Sequence, residues 1–97
     1  MTLEKFIASL KDDRPPNVAP ALQALWHEAR GDWDRAHQIA QDVDDRSGAW
    51  VHAYLHRVEG DLGNAGYWYR QAQRPVATQS IAAEWDAIAK ALLKAQQ

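Results

Sequence analysis

Two histidines, His52 and His56, stand four residues apart in the stretch 49–72. On a helix that spacing puts both imidazoles on one face, close enough to share a metal ion. A third, His27, precedes His56 by 29 positions. Asp32, Glu59 and Asp61 stand nearby as possible oxygen donors. His27, His52 and His56 are therefore the candidate metal ligands. The string HAYLH has no glutamate after its first histidine, so it lacks the general base of HExxH proteases. No Glu-x-x-His pair of the di-iron bundles is present either. The competing reading is structural: imidazoles that fill inter-helix positions and hydrogen-bond to backbone or carboxylates.

A second constellation points to binding. Trp50, Tyr54, Arg57 and Val58 follow i, i+4, i+7, i+8 on a different helix face. The positions 29 earlier are Ala21, Leu25, Glu28 and Ala29. Together they describe a groove with a wide aromatic end and a shallow apolar end, suited to a peptide or a partner helix. Trp50, Tyr54, Arg57, Leu25 and Glu28 are the candidate groove residues, unless a terminal helix covers them as core. Tyr67 and Trp68 are spare aromatics for packing or for a homodimer contact. Asp42, Asp44 and Asp45 lack the glycine and distal glutamate of an EF-hand loop and read as a solvated turn.

Composition narrows the classes. Ninety-seven residues make one domain. The apolar share, 46%, is ordinary for a globular chain, and 25% charge is too little for a disordered tail. With no cysteine, disulfides, thiol nucleophiles and cysteine-zinc sites are excluded. A net charge of −2 gives no electrostatic reason to bind nucleic acid or an anionic membrane. No signal sequence or spanning segment is legible, so a cytoplasmic setting is expected. No phosphate loop or nucleophile elbow occurs, and no cofactor is expected.

The elements that must position these residues are helical throughout. Leu3, Phe6, Ile7 and Leu10 form one stripe of a helix over 2–12, with Thr2 as its cap. Pro15 and Pro16 break it. A second helix is predicted over 18–30, with Pro20 in its first turn. Gly31 ends it and Asp32 starts the next, over 33–43. Ser47 is the expected cap of a central helix over 49–59. Gly60-Asp61 repeats the stop and restart before a helix over 62–73. A last helix over 78–94 carries Ile81, Trp85, Ile88 and Leu92 on one face. Gly66, inside the fifth helix, suggests either a close helix contact or a tolerated surface glycine.

Sliding the chain by 29 residues superposes Ala24 on Ala53, His27 on His56, Gly31 on Gly60, Asp32 on Asp61 and Ala36 on Ala65. Each unit, about 18–43 and 47–73, is helix, Gly-Asp turn, helix. With Ala53 seven before Gly60, and Ala65, Tyr69 and Ala72 after it, the second unit resembles a tetratricopeptide (TPR) repeat. Gly31, Ala36, Ala40 and Val43 follow the same pattern. The period is shorter than the roughly 34 residues of that family, and His52 and His56 replace its usual core residues. The chain is also similar to small uncharacterised bacterial proteins carrying a HAYLHR-EGD-NA-YWY string. The resemblance implies an all-α fold of stacked antiparallel helical hairpins, closed by the N-terminal helix and a C-terminal capping helix. It also implies a non-catalytic protein-interaction module that binds a peptide or partner helix through the aromatic groove. The alternative is a small-molecule or metal-binding site, with or without catalysis, built on the histidines.

Overall fold

Six α-helices and one 3-10 turn are the regular elements of residues 1–96, which the computed structural model describes. They are α1 (Leu3–Ala8), running into the 3-10 turn Ser9–Lys11, then α2 (Pro20–Ala29), α3 (Trp33–Gln41), α4 (Arg46–Glu59), α5 (Leu62–Ala72) and α6 (Ile81–Ala95). No strand occurs among the described residues.

Local chemistry accounts for the boundaries. Gly31 and Gly60 both adopt positive φ, +86° and +88°, where a side chain would be strained. The aspartate after each accepts from a backbone N–H three residues on: Asp32 from Arg35 and Asp61 from Asn64. Each Gly-Asp pair thus ends one helix and starts the next, folding α3 back along α2 and α5 back along α4. Thr2 caps α1 as expected, and Ser80 caps α6, which begins at Ile81 rather than at 78. Ser47 does not cap α4. Asp45 does, its carboxylate accepting from Gly48 N–H at 2.9 Å, so the helix begins earlier, at Arg46. Gly48 is needed there for space: a Cβ would lie 2.0 Å from the Val43 carbonyl oxygen. Gly66 meets only the Arg70 guanidinium, at 3.7 Å, so it serves no close helix contact.

Between the two helix pairs, α3 packs on α4. The last helix then lies against α4, α2 and α1. Trp85 on α6 stacks on Phe6 of α1, 5.7 Å between ring centroids, and its indole N–H donates to the Leu25 carbonyl at 3.1 Å. Ile88, Ala89, Leu92 and Leu93 complete the buried face of α6 and join Leu22, Leu25, Trp26, Val51, Tyr54 and Leu55 in one core. Every buried side-chain nitrogen and oxygen among the described residues has a hydrogen-bond partner, as a well-specified interior requires.

That placement of α6 decides the fate of the candidate groove. Leu25 is fully buried and Tyr54 is 2% exposed, so neither lines an open surface. Tyr54 O–H donates to Glu28 at 2.9 Å. Arg57 donates to Glu84 on α6 at 2.8 Å and also to the Gln79 carbonyl. Glu84, 2% exposed, accepts a further hydrogen bond from Tyr69 O–H. Burial raises the ionisation of both tyrosine hydroxyls well above the usual phenol range and raises the Glu28 carboxyl. The face read as a partner groove is filled by the chain's own last helix, because an apolar stripe on α6 and one buried ion pair fit it. Trp50, Glu28 and Arg57 stay partly accessible.

Candidate metal centre

Three helices each contribute one pair of side chains at i, i+4 to a single cluster: Trp33 and His37 from α3, His52 and His56 from α4, Asn64 and Trp68 from α5. The spacing puts each pair on one face of its helix. The antiparallel course of α4 and α5 across the Gly60-Asp61 turn brings Asn64 level with His56 and Trp68 level with His52. Contact of α3 with α4 supplies the remaining wall.

The three imidazoles meet edge to face and face to face. Ring centroids are 4.7 Å apart for His37 and His52, 5.3 Å for His37 and His56, and 4.8 Å for His52 and His56. One nitrogen from each ring lies within 4.8 Å of the other two. The closest pair is His37 Nε2 and His52 Nε2, at 3.0 Å. Aromatic walls fix the rings. Trp33 stacks on His37 at 4.9 Å, and Trp68 stacks on His52 at 4.0 Å with planes 13° apart. Trp33 is itself pinned, its indole N–H donating to the Leu55 carbonyl at 2.8 Å. Tyr67, by contrast, points outward and touches Trp68 edge-on.

Tautomers follow from the partners. Glu59 Oε1 lies 2.6 Å from His56 Nδ1, and an ionised carboxylate can only accept, so Nδ1 carries the proton. In the neutral ring the lone pair is then on Nε2, where Asn64 Nδ2 donates across 3.3 Å. Burial, reinforced by His37 and His56, pulls His52 down to about 4. Burial and then His56 lower His37 as well. Both rings are therefore neutral at neutral pH, the form that binds metals.

His27 is not part of this cluster. It packs edge-on against Trp26, and its proton affinity is lowered by burial and by Arg35. The repeat explains why. His56 faces the second helix of the preceding unit, α3. His27 holds the same place in the first unit, where no such helix precedes it. The third imidazole is instead His37, on α3 itself. Of the residues singled out in the sequence, His52 and His56 come together and His27 does not. His37, Asn64 and the two indole walls escaped sequence reading. The one signal for His37 was its i, i+4 spacing from Trp33.

A tetrahedral ion bound at about 2.0–2.1 Å sets its nitrogen ligands roughly 3.3 Å apart. The three nitrogens, all within 4.8 Å of one another, must draw together by up to about 1.5 Å to meet that. All-imidazole sets suit zinc, copper, nickel and iron rather than calcium or magnesium. Glu59 on the far nitrogen of His56 matches the outer carboxylate that orients metal-bound histidines. A second grouping, His56, Glu59 and Asp61, reuses that carboxylate on the exposed end of α4. A recess of about 300 Å³ lies beside His52 and Trp68, with Ala40, Ala49, Arg46 and Gln71 among its walls. Compared with family models, curated proteins and solved structures, the chain matches none. No described helix is long and apolar enough to cross a membrane.

Proposed function

We propose that the protein binds one divalent transition-metal ion, zinc in the first instance, through His37, His52 and His56. The observation that carries this reading is the convergence of three imidazole nitrogens within 4.8 Å. Two features support it further: the neutral His37 and His52 rings, and a carboxylate already seated on the outer nitrogen of His56. The ligands come from α3 and α4, so the ion ties one helix pair to the next. A TPR-like stack, in which the second helix of one unit contacts the first helix of the following one, accounts for that geometry. Metal analysis of untagged protein, followed by calorimetric titration with zinc, tests the reading. One equivalent should bind to wild type and to His27→Ala, and none to His37→Ala or His52→Ala. Equal binding by all four proteins would refute it.

A second reading, a protein-interaction site, is supported by the remaining open part of the groove. Gln73, in left-handed backbone conformation (φ 58°), ends α5 and turns Arg74 back, so that its guanidinium lies 3.7 Å over the Trp50 ring. Trp50 and Arg74 border a recess of about 590 Å³ whose other walls include Val76, Ala77, Ala87 and Ala91. A half-buried tryptophan under an exposed arginine, beside apolar walls, is a common kind of interface anchor. Trp50→Ala, shown to be folded by circular dichroism, should lose any peptide or partner helix that wild type retains; retention by the variant would remove this site.

A further inference from the structure

We infer that the trough beside Trp50 takes a short acidic peptide, with carboxylates on the Arg74 and Arg46 guanidiniums and an apolar side chain against Val76 and Ala87. This rests on the interaction reading above and deepens it, by naming the chemistry of the partner.

Shape comes first. The recess of about 590 Å³ bordered by Trp50 and Arg74 adjoins a second of about 320 Å³, and the two share Trp50, Arg74 and Ala91. Along α6, Ala87 borders only the larger recess, Ala91 both, and Ala95 only the smaller. These alanines stand four residues apart, so the trough runs along roughly 12 Å of the helix. That is the length of about three to four residues of extended chain. Methyl side chains on this wall let a peptide backbone come close. The larger recess is the apolar end, where Val76 is exposed beside Pro75 and Ala87.

Charge selects the occupant. The charged side chains bordering the two recesses are Arg46, Arg74 and Glu84, and Glu84 is committed to Arg57 and Tyr69. Arg46 and Arg74 are exposed, and the ion pairs of the described residues, His56–Glu59 and Arg57–Glu84, include neither. Asp45, next to Arg46, turns its carboxylate to the Gly48 N–H instead, and Asp44 borders the separate recess beside His52. Arg74 is held ready for a ligand. Its backbone N–H donates to the Tyr69 carbonyl at 3.0 Å, and its guanidinium lies over the Trp50 ring. A guanidinium over an indole face keeps its N–H edge for a carboxylate. Arg46 stands four residues before Trp50 on the same face of α4, so both guanidiniums border the smaller recess. Two cations on a chain of net charge −2 suit a pair of peptide carboxylates rather than a nucleic-acid backbone.

The test uses the full chain and a fluorescein-labelled peptide of one leucine with two glutamates on each side, which serves either chain direction. Anisotropy should rise saturably, and the affinity should fall with added salt. The same peptide with glutamines should bind roughly tenfold more weakly. Arg74→Gln and Arg46→Gln should each weaken the glutamate peptide roughly threefold, as exposed ion pairs do. Arg70→Gln, which borders neither recess, should bind like wild type. All three arginines are exposed, so each variant should fold. Equal binding of the two peptides would overturn the acidic class; if Trp50→Ala lost both, the interaction reading would stand without it. Unchanged affinity in Arg74→Gln and Arg46→Gln would overturn the assignment to this trough. So would a single-stranded DNA oligonucleotide that displaced the peptide and bound more tightly. No binding of either peptide at millimolar concentration would overturn the inference outright.

Discussion

Replacing Arg57 by methionine should destabilise the protein by about 3 kcal/mol. Arg57 is one half of the ion pair that fastens α6 to α4, 2.8 Å from a Glu84 carboxylate that is 2% exposed. Removing one partner of a buried pair typically costs about 3–5 kcal/mol, because the other charge stays in a poorly solvated place. The lower end applies here: the Arg57 side chain is 17% exposed, and Tyr69 O–H continues to hold the second glutamate oxygen. In a chain of 97 residues that loss lowers the melting temperature by about 12–24 °C. Urea denaturation followed by tryptophan fluorescence should show a lower midpoint at unchanged slope. A combined variant is the sharper test. Arg57→Met with Glu84→Leu and Tyr69→Phe removes the charge and the hydroxyl together, and should recover at least half of the loss, since buried pairs are replaceable by apolar side chains. A single variant costing under about 1 kcal/mol, or a triple variant no better than the single, would refute the claim that an uncompensated charge dominates.

Zinc at a hundred times its dissociation constant should raise stability by about 2.7 kcal/mol, or about 11–22 °C in melting temperature; in His37→Ala the melting curve should not move. Without metal, stability should fall as pH drops below 6.5 toward about 4, because His52 binds a proton in the unfolded chain but not in the folded one across that window. The loss is of order 3 kcal/mol at most; His52→Gln should flatten the slope measured by urea titrations at several pH values. Gly48→Ala should cost about 2 kcal/mol or more, its Cβ driven into the Val43 carbonyl. Gly66→Ala, whose Cβ would meet only the Arg70 guanidinium in ordinary contact at 3.7 Å, should stabilise by about 0.5–1 kcal/mol; equal thermal shifts for the two alanine variants would contradict the contrast.

The chain by itself determined its helices and the turns between them. Gly31-Asp32 and Gly60-Asp61 act within a few residues: a positive φ is open to glycine, and the aspartate reaches the third residue on. The apolar stripes of α4 and α6, and the shared face of His52 and His56, follow from helical periodicity alone. The early start of α4 was missed because Asp45 and Ser47 are both good caps, and the packing of Gly48 on Val43 favours Asp45. Periodicity assigns a side chain to a face but does not say which helix meets that face. Tertiary structure therefore decided that His37, not His27, joins the pair on α4, since α3 precedes α4 and no helix of that kind precedes α2. It also decided that α6 covers Leu25, Tyr54 and Arg57. One helix stripe and one buried carboxylate fit that face from within the same chain, where no intermolecular association entropy opposes them.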